Sequence, residues 1–511
     1  MNDKSRVQNV VVNMGVGVIF QVISLVLGFI SRTIFIRILG TEYLGLNSLF
    51  TNILTILSFA ELGIGNAIIF NMYKPIADGD NTRLQKLINF YKKTYFKIGF
   101  VILLLGILIS PLLPSIINEI PNTKESIYLI YLLFLIDTSI SYFFSYKTAL
   151  ITANQKNYIV VMYTYLFRIV QIIVQLIVLY FTKNYVLYLV LQLMNTFLTN
   201  LFLSRKATKM YPFLKNNKLV LEKGEQKNIF SNVKALFIYK FGSIILNGTD
   251  SIIISKMFGL DVLGLYSNYY LLLNAITLIL SQVLNAFTSS IGNLIAKSEK
   301  EKERVVFYEL YYFTFLLFGI IGICLYILFN DFVKVWLGHQ YILSSFVVFS
   351  IVLHFYVNGV QFSTFTYRNT AGLFKKYKYA SIIAVILNIT LSVILGKYFG
   401  LAGVFLATSI SRLLTSGIID PVVVYKHILK ENVSKYFIKY VTYLIIVIIT
   451  YIITSSLVSF IEVSNIFTFI LKGLVTFILT TILFILATYK TDEYKNVKTS
   501  IMSFFKRFRR N

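Results

Sequence analysis

The sequence is short of the residues that soluble enzyme chemistry relies on. It has one cysteine, Cys324, set in an apolar run, so no disulfide can form within the chain. Its three histidines (His339, His354, His427) are scattered, and no His/Cys group has metal-ligand spacing; neither a metal nor a cofactor is expected. No Gly-rich phosphate loop ending in Lys-Ser/Thr occurs, which excludes an ATPase. Charged residues make up only 14% of 511, and acids are scarce, 22 against 48 Lys and Arg. The six prolines (Pro75, Pro111, Pro114, Pro121, Pro212, Pro421) read as helix ends or loops, so no helix is expected to break at mid-membrane. Connections on one side are short, the longest around Pro114–Lys124. A membrane polymerase or glycosyltransferase generally needs a larger loop to hold its reaction site.

What is abundant is apolar surface. Hydrophobic residues make up 57% of the chain and the mean hydropathy is +0.74, more than a soluble fold of this size could cover. A bilayer core about 30 Å thick needs ~20 apolar residues per helix. Fourteen runs qualify, from 8–37 through 466–489, which predicts an all-α polytopic membrane protein. The first run lacks a small-residue cleavage site and reads as a retained helix.

The net charge of +26 has a pattern. Of the 48 cations, 36 lie at the amino end and in every second connection, and seven lie in the alternate ones. That asymmetry puts both termini in the cytoplasm. The tail Lys506–Arg510 then reads as an orientation signal or a contact with anionic membrane lipids, and nucleic acid is not an expected partner.

Thirteen residues return 219 positions apart. Arg37–Leu49 (RILGTEYLGLNSL) reappears as Lys256–Asn268 (KMFGLDVLGLYSN), each copy between two long apolar runs. Six crossings separate the copies, so the halves run in the same direction, as parallel repeats. The expected organisation is an N-lobe of helices 1–6 (1–203), a basic linker (204–231), a C-lobe of helices 7–12 (232–425), helices 13–14 (426–489) and a basic tail (490–511). The motif itself reads as a structural corner, since glycines permit a tight turn and close helix approach.

Ionisable groups at mid-bilayer cost about 2.5–3.5 kcal/mol each and need partners or water. Arg32, Arg168, Lys240 and Arg412 all fall inside apolar runs. Gln21 lies on the first helix, Gln171 and Gln175 share a face with Arg168, Ser409, Ser416 and Asp420 share the face of Arg412, and Asn274, Ser281 and Asn285 form a stripe on helix 8. Asn358 and Gln361 do the same on helix 10, with His354 and Arg368. These stripes predict a hydrated, cation-lined cavity suited to an anionic head group. Arg168 and Arg412 have a structural alternative, pairing with Glu61 or Asp137 to hold helices together. Glu61, Asp137 and Asp250 are the candidates for coupling to a proton or sodium gradient.

Arg37–Gly40, Leu44–Leu46, Ala60–Gly65 and Tyr73–Asp80 together resemble the amino-terminal region of bacterial polysaccharide repeat-unit flippases. These are the O-antigen, capsule and exopolysaccharide members of the multidrug/oligosaccharidyl-lipid/polysaccharide exporter superfamily. The resemblance implies two lobes around a cationic cavity, with the last two helices peripheral. Its implied cargo is an oligosaccharide on undecaprenyl pyrophosphate, turned from the inner to the outer leaflet of the bacterial plasma membrane by alternating access. A polysaccharide polymerase is an implied partner. The alternatives are a cation-coupled multidrug exporter and, from the enzyme class, a lipid-linked glycan polymerase. Cation-coupled drug exporters of the superfamily often place an acid in their first helix; none lies between Asp3 and Glu42 here.

Overall fold

The computed structural model describes residues 3–61, 64–118, 121, 123–215, 219–296, 300–373 and 378–499. Among them every regular element is a helix. In lipid each backbone N–H and C=O must be satisfied within its own segment, and a helix does this without a neighbour. The chain divides into two compact units, Met1–Gly264 and Leu265–Asn511.

The first unit opens with α1 (Asp3–Leu39) and α2 (Thr41–Leu57). A 3-10 turn at Ser58–Glu61 leads to α3 (Ile64–Asp78), then α4 (Asn81–Ile109) and the short α5 (Leu113–Ile116). After α6 (Ile127–Phe144) a second 3-10 turn, Ser145–Lys147, precedes α7 (Thr148–Ala153), α8 (Asn157–Thr182) and α9 (Tyr185–Met210). The unit closes with the first part of α10 (Lys223–Ala296). Starts are capped by the expected residue types: Asp80 accepts the Arg83 amide at 2.8 Å, and Asn184 accepts that of Leu187 at 3.0 Å. α1 packs on α8, and α6 packs on both α4 and α9. Phe50 meets Tyr131 and Phe134 edge-on in the core.

The two copies of the repeated motif meet inside this unit. Gly40 (φ 90°, ψ −176°) and Gly259 (φ 86°, ψ 173°) hold nearly the same conformation, one that an L side chain rarely adopts. Each turns the chain at the same place in its copy. A Cβ on Gly45 would lie 2.1 Å from the Leu260 carbonyl oxygen, and one on Gly264 would lie 2.2 Å from that of Thr41. Leu260 is the counterpart of Thr41, and Gly264 of Gly45, so the contact is reciprocal. Thr41 also donates to Asp261 at 2.5 Å, and Asn52 donates to Ser251 at 3.0 Å.

The second unit takes the rest of α10, then α11 (Lys300–Trp336), α12 (Ser345–Val360), α13 (Phe362–Thr370) and α14 (Lys378–Phe399). It continues with α15 (Leu401–Leu414), α16 (Ser416–Val424), a π-turn at Tyr425–Leu429, α17 (Ser434–Val458) and α18 (Ile466–Thr488). α14 and α15 approach closely because Gly403 has no side chain; a Cβ there would lie 2.0 Å from the Leu395 oxygen. Phe315 stacks on Tyr443 at 4.0 Å and packs on Phe484, joining α11 to α17 and α18. Thr476 and Thr488 return their hydroxyls to carbonyls one turn back, which hides two polar groups on an apolar helix.

Among the described residues, eleven helical segments are long and apolar enough to cross a membrane; one of them, Gly248–Asn285, runs through the Gly259 corner. The all-α polytopic class is as expected. The expectation of unbroken helices is not met. The chain leaves regular α-helix at Ser58–Glu61, Ser145–Lys147, Gln361 and Thr415, none of them at a proline, and again at Ser110–Leu112, which contains Pro111. Pro75 and Pro421 lie inside α3 and α16 instead of at ends. Each forfeits one backbone bond, which a helix only a few turns long tolerates near its terminus.

Candidate functional site

Two of the predicted cations come together in the first unit. Arg32 on α1 and Arg168 on α8 both lie within electrostatic reach of the Tyr188 hydroxyl on α9, which is also hydrogen-bonded to Ser31. Side-by-side packing of α1, α8 and α9 sets this geometry. Arg32 is half-buried, while Arg168, midway along an apolar helix, is exposed; among the described residues no carboxylate pairs with it. Gln171 donates to Gln175 at 3.2 Å, and Gln175, buried, donates to the Tyr188 carbonyl at 2.8 Å. Gln175 therefore fixes the α8–α9 register beneath the arginines. Gln21 is half-buried on α1. Lys240 lies on α10, and its side chain is outside the described residues.

In the second unit Arg412 is half-buried and donates through Nη1 to Asn358 at 2.6 Å, with His354 close by. Ser416 donates to Gln361 at 2.7 Å, so the α12/α13 break and the α15/α16 break are bonded to each other. Asp420, expected on the face of Arg412, instead binds Arg368. The Thr415 break (φ −111°, ψ −86°) turns α16 away from the α15 register. The Arg368–Asp420 pair spans 2.5 Å with both side chains 1% exposed, and it locks α13 to α16. Asn274 and Asn285 are exposed and Ser281 is half-buried, its hydroxyl donating to the Leu278 carbonyl at 2.8 Å.

The three candidate coupling acids differ. Glu61 ends the first 3-10 turn and accepts hydrogen bonds from the hydroxyls of Tyr95 and Tyr142. Tyr91 is bonded to Tyr95, their rings 4.2 Å apart and perpendicular. This cluster borders a cavity of about 290 Å³ held wholly within the first unit. Asp137, on α6, accepts from Gln192 at 2.9 Å through Oδ2, while its buried Oδ1 has no hydrogen-bond partner. Asp250 is half-buried on α10 next to Ser251 and engages a neighbouring group.

Sequence reasoning missed the tyrosines. Tyr188 and the Tyr91/Tyr95/Tyr142 set were lost among 36 tyrosines, because nothing in the spacing marks which hydroxyl will meet a charge. Outside the helical spans, Glu431 accepts from Tyr308 at 3.0 Å and pairs with Arg304 and Lys435, both at 3.2 Å. Burial pushes its carboxyl up, and those donors and cations outweigh it, leaving it below the usual carboxylate range.

A family model described as "Polysaccharide biosynthesis protein" matches residues 10–291. No curated protein matches the sequence. Among solved structures, the fold is similar to the lipid II flippase MurJ in an inward closed conformation: TM-score 0.63 and 16% identity, covering 92% of this chain and 98% of that one. It is also similar to an inward-facing multidrug resistance MATE family transporter of the MOP superfamily, at TM-score 0.62 and 14% identity over 80% and 96%. A Vibrio cholerae MATE transporter, VcmN, in the bent form matches at TM-score 0.51 and 13% identity over 84% and 98%.

Proposed function

The chain belongs to the polysaccharide biosynthesis protein family, and on that premise we propose that it is a flippase for oligosaccharide repeat units carried on undecaprenyl pyrophosphate. It turns them from the inner to the outer leaflet of a bacterial plasma membrane by alternating access, for cell-surface polysaccharide assembly. Both termini are then cytoplasmic. The observation that carries this reading is the convergence of Arg32 and Arg168 on Tyr188. A guanidinium left exposed midway along an apolar helix is costly unless it faces water or an anion. A pyrophosphate offers several acceptor oxygens to the planar donor forks of two arginines. Arg412, held by Asn358, presents a further cation in the second unit. Of the three candidate acids, Asp137, with an unbonded buried oxygen, is assigned to proton or sodium coupling.

The second reading, a cation-coupled multidrug exporter, is favoured by the likeness in fold to MATE transporters. Exposed arginine disfavours cationic drugs as cargo. Binding of undecaprenyl pyrophosphate, without sugars, to the purified protein in nanodiscs separates the two. Replacing Arg32 and Arg168 together by Ala removes charged hydrogen bonds worth ~1.5–3 kcal/mol each, so at least a tenfold loss of affinity is expected. Unchanged binding overturns the assignment.

A further inference from the structure

We propose that the cavity beside Glu61 is a subsite for one sugar ring of the cargo, an assignment that rests on the flippase reading above. The backbone points there first. Two helix breaks, Ser58–Glu61 and Ser145–Lys147, both border this cavity. A 3-10 turn leaves some carbonyls of the α-turn before it without their usual amide partners, and at membrane depth these persist only where protein or water satisfies them.

The polarity of the lining selects the ligand. Ser141 donates its hydroxyl to the Thr138 carbonyl at 2.7 Å, and Thr148 donates to that of Ser145 at 2.6 Å. Asn200 gives one of its two amide N–H groups to the Thr196 carbonyl at 2.8 Å and keeps the other. Tyr95 donates to Glu61. With these donors committed at home, the side chains present mainly lone pairs and a carboxylate to the cavity, with the second Asn200 N–H left to give. The occupant must therefore bring hydrogens for most of its contacts and accept a few. A polyhydroxylated or N-acetylated ring does so; a phosphate brings only acceptors and a negative charge, and Glu61 repels it.

Size and shape narrow the choice further. About 290 Å³ corresponds to some ten waters at ~30 Å³ each, far more than a dehydrated sodium ion fills and close to the lower range of small-molecule sites. The rings of Tyr91, Tyr95 and Tyr142 supply flat apolar surface of the kind that packs against the C–H face of a pyranose. Glu61 lies twenty residues beyond Thr41 at the first corner, roughly 30 Å down the helix axis. With the proposed topology this is the cytoplasmic half, where a lipid-linked sugar is loaded.

Saturation-transfer NMR on the purified full chain in nanodiscs tests the assignment, with glucose, galactose, N-acetylglucosamine and N-acetylgalactosamine as probes. Transfer to the ring protons of at least one is expected, weakened tenfold or more by Asn200→Leu, which fills the cavity, and by Glu61→Gln, which removes the charge. Undecaprenyl pyrophosphate binding should be unchanged in Asn200→Leu. No transfer to any of the four sugars, or transfer unaffected by both substitutions, overturns the subsite. If the pyrophosphate lipid still binds, the flippase reading survives that result; if it does not, that reading falls separately. Sodium-dependent stabilisation without sugar transfer, lost in Glu61→Gln, would make the cavity a cation site and also overturns the proposal.

Discussion

Breaking the Arg368–Asp420 pair from one side should harm the second unit more than removing it altogether. Both side chains are 1% exposed, so neither charge has water to fall back on. Arg368 also bonds Asn369 at 3.3 Å and stands 5.4 Å from the Phe365 ring, but neither contact neutralises it. Asp420→Asn therefore strands a guanidinium, and Arg368→Met strands a carboxylate. Loss of one partner of a buried pair costs about 3–5 kcal/mol, whereas an apolar replacement of similar volume is often neutral or stabilising. For a folding unit of this size, a loss on the order of 10 °C in melting temperature is expected for each single variant. The double variant Arg368→Met/Asp420→Leu should recover most of it. Thermal unfolding of the four proteins in one detergent, read by light scattering and intrinsic fluorescence, closes the cycle. Singles within a degree or two of wild type, or a double variant worse than either, would refute the reasoning, since the pair would then not be the lock between α13 and α16.

Other expectations concern separate regions. Gly45→Ala and Gly264→Ala should each destabilise the first unit by about 1–3 kcal/mol, because the new methyl meets backbone that must move; unfolding temperatures should show it, and the double variant should cost less than the sum. Asp137→Asn should keep the Gln192 bond and the fold while abolishing any dependence of transport on pH or sodium, measured in proteoliposomes with an imposed gradient. Glu431 has a depressed carboxyl, so its contribution is present above the ordinary range near about 4.3 and is lost as pH falls through its folded value. The melting-temperature gap between wild type and Glu431→Gln should accordingly be open at pH 7 and narrow as the pH is taken below about 4.3.

Much of the plan was legible because it depends on long averages. Apolar runs are summed over many residues, and they overlay helical stretches. The duplicated motif marked Gly40 and Gly259 as equivalent, and both turn the chain the same way. The breaks were not legible. A 3-10 turn at Ser58–Glu61 or a kink at Thr415 turns on a few local bonds, and no proline marks either. A helical wheel drawn straight through Thr415 places Asp420 on the face of Arg412, and the break there moves it to Arg368. Likewise, Asn358 and Arg368 share a wheel stripe, but the break at Gln361 leaves one exposed and buries the other.

The reciprocal seating of Gly45 on Leu260 and Gly264 on Thr41 has an evolutionary consequence. A patch that fits its own copy needs no second surface to be invented: a single ancestral gene product could associate with its twin through this same seat, and tandem fusion would preserve it unchanged. Drift at either glycine is afterwards policed by the carbonyl of the opposite copy, so the two must be inherited as a matched couple even while the sequences around them diverge.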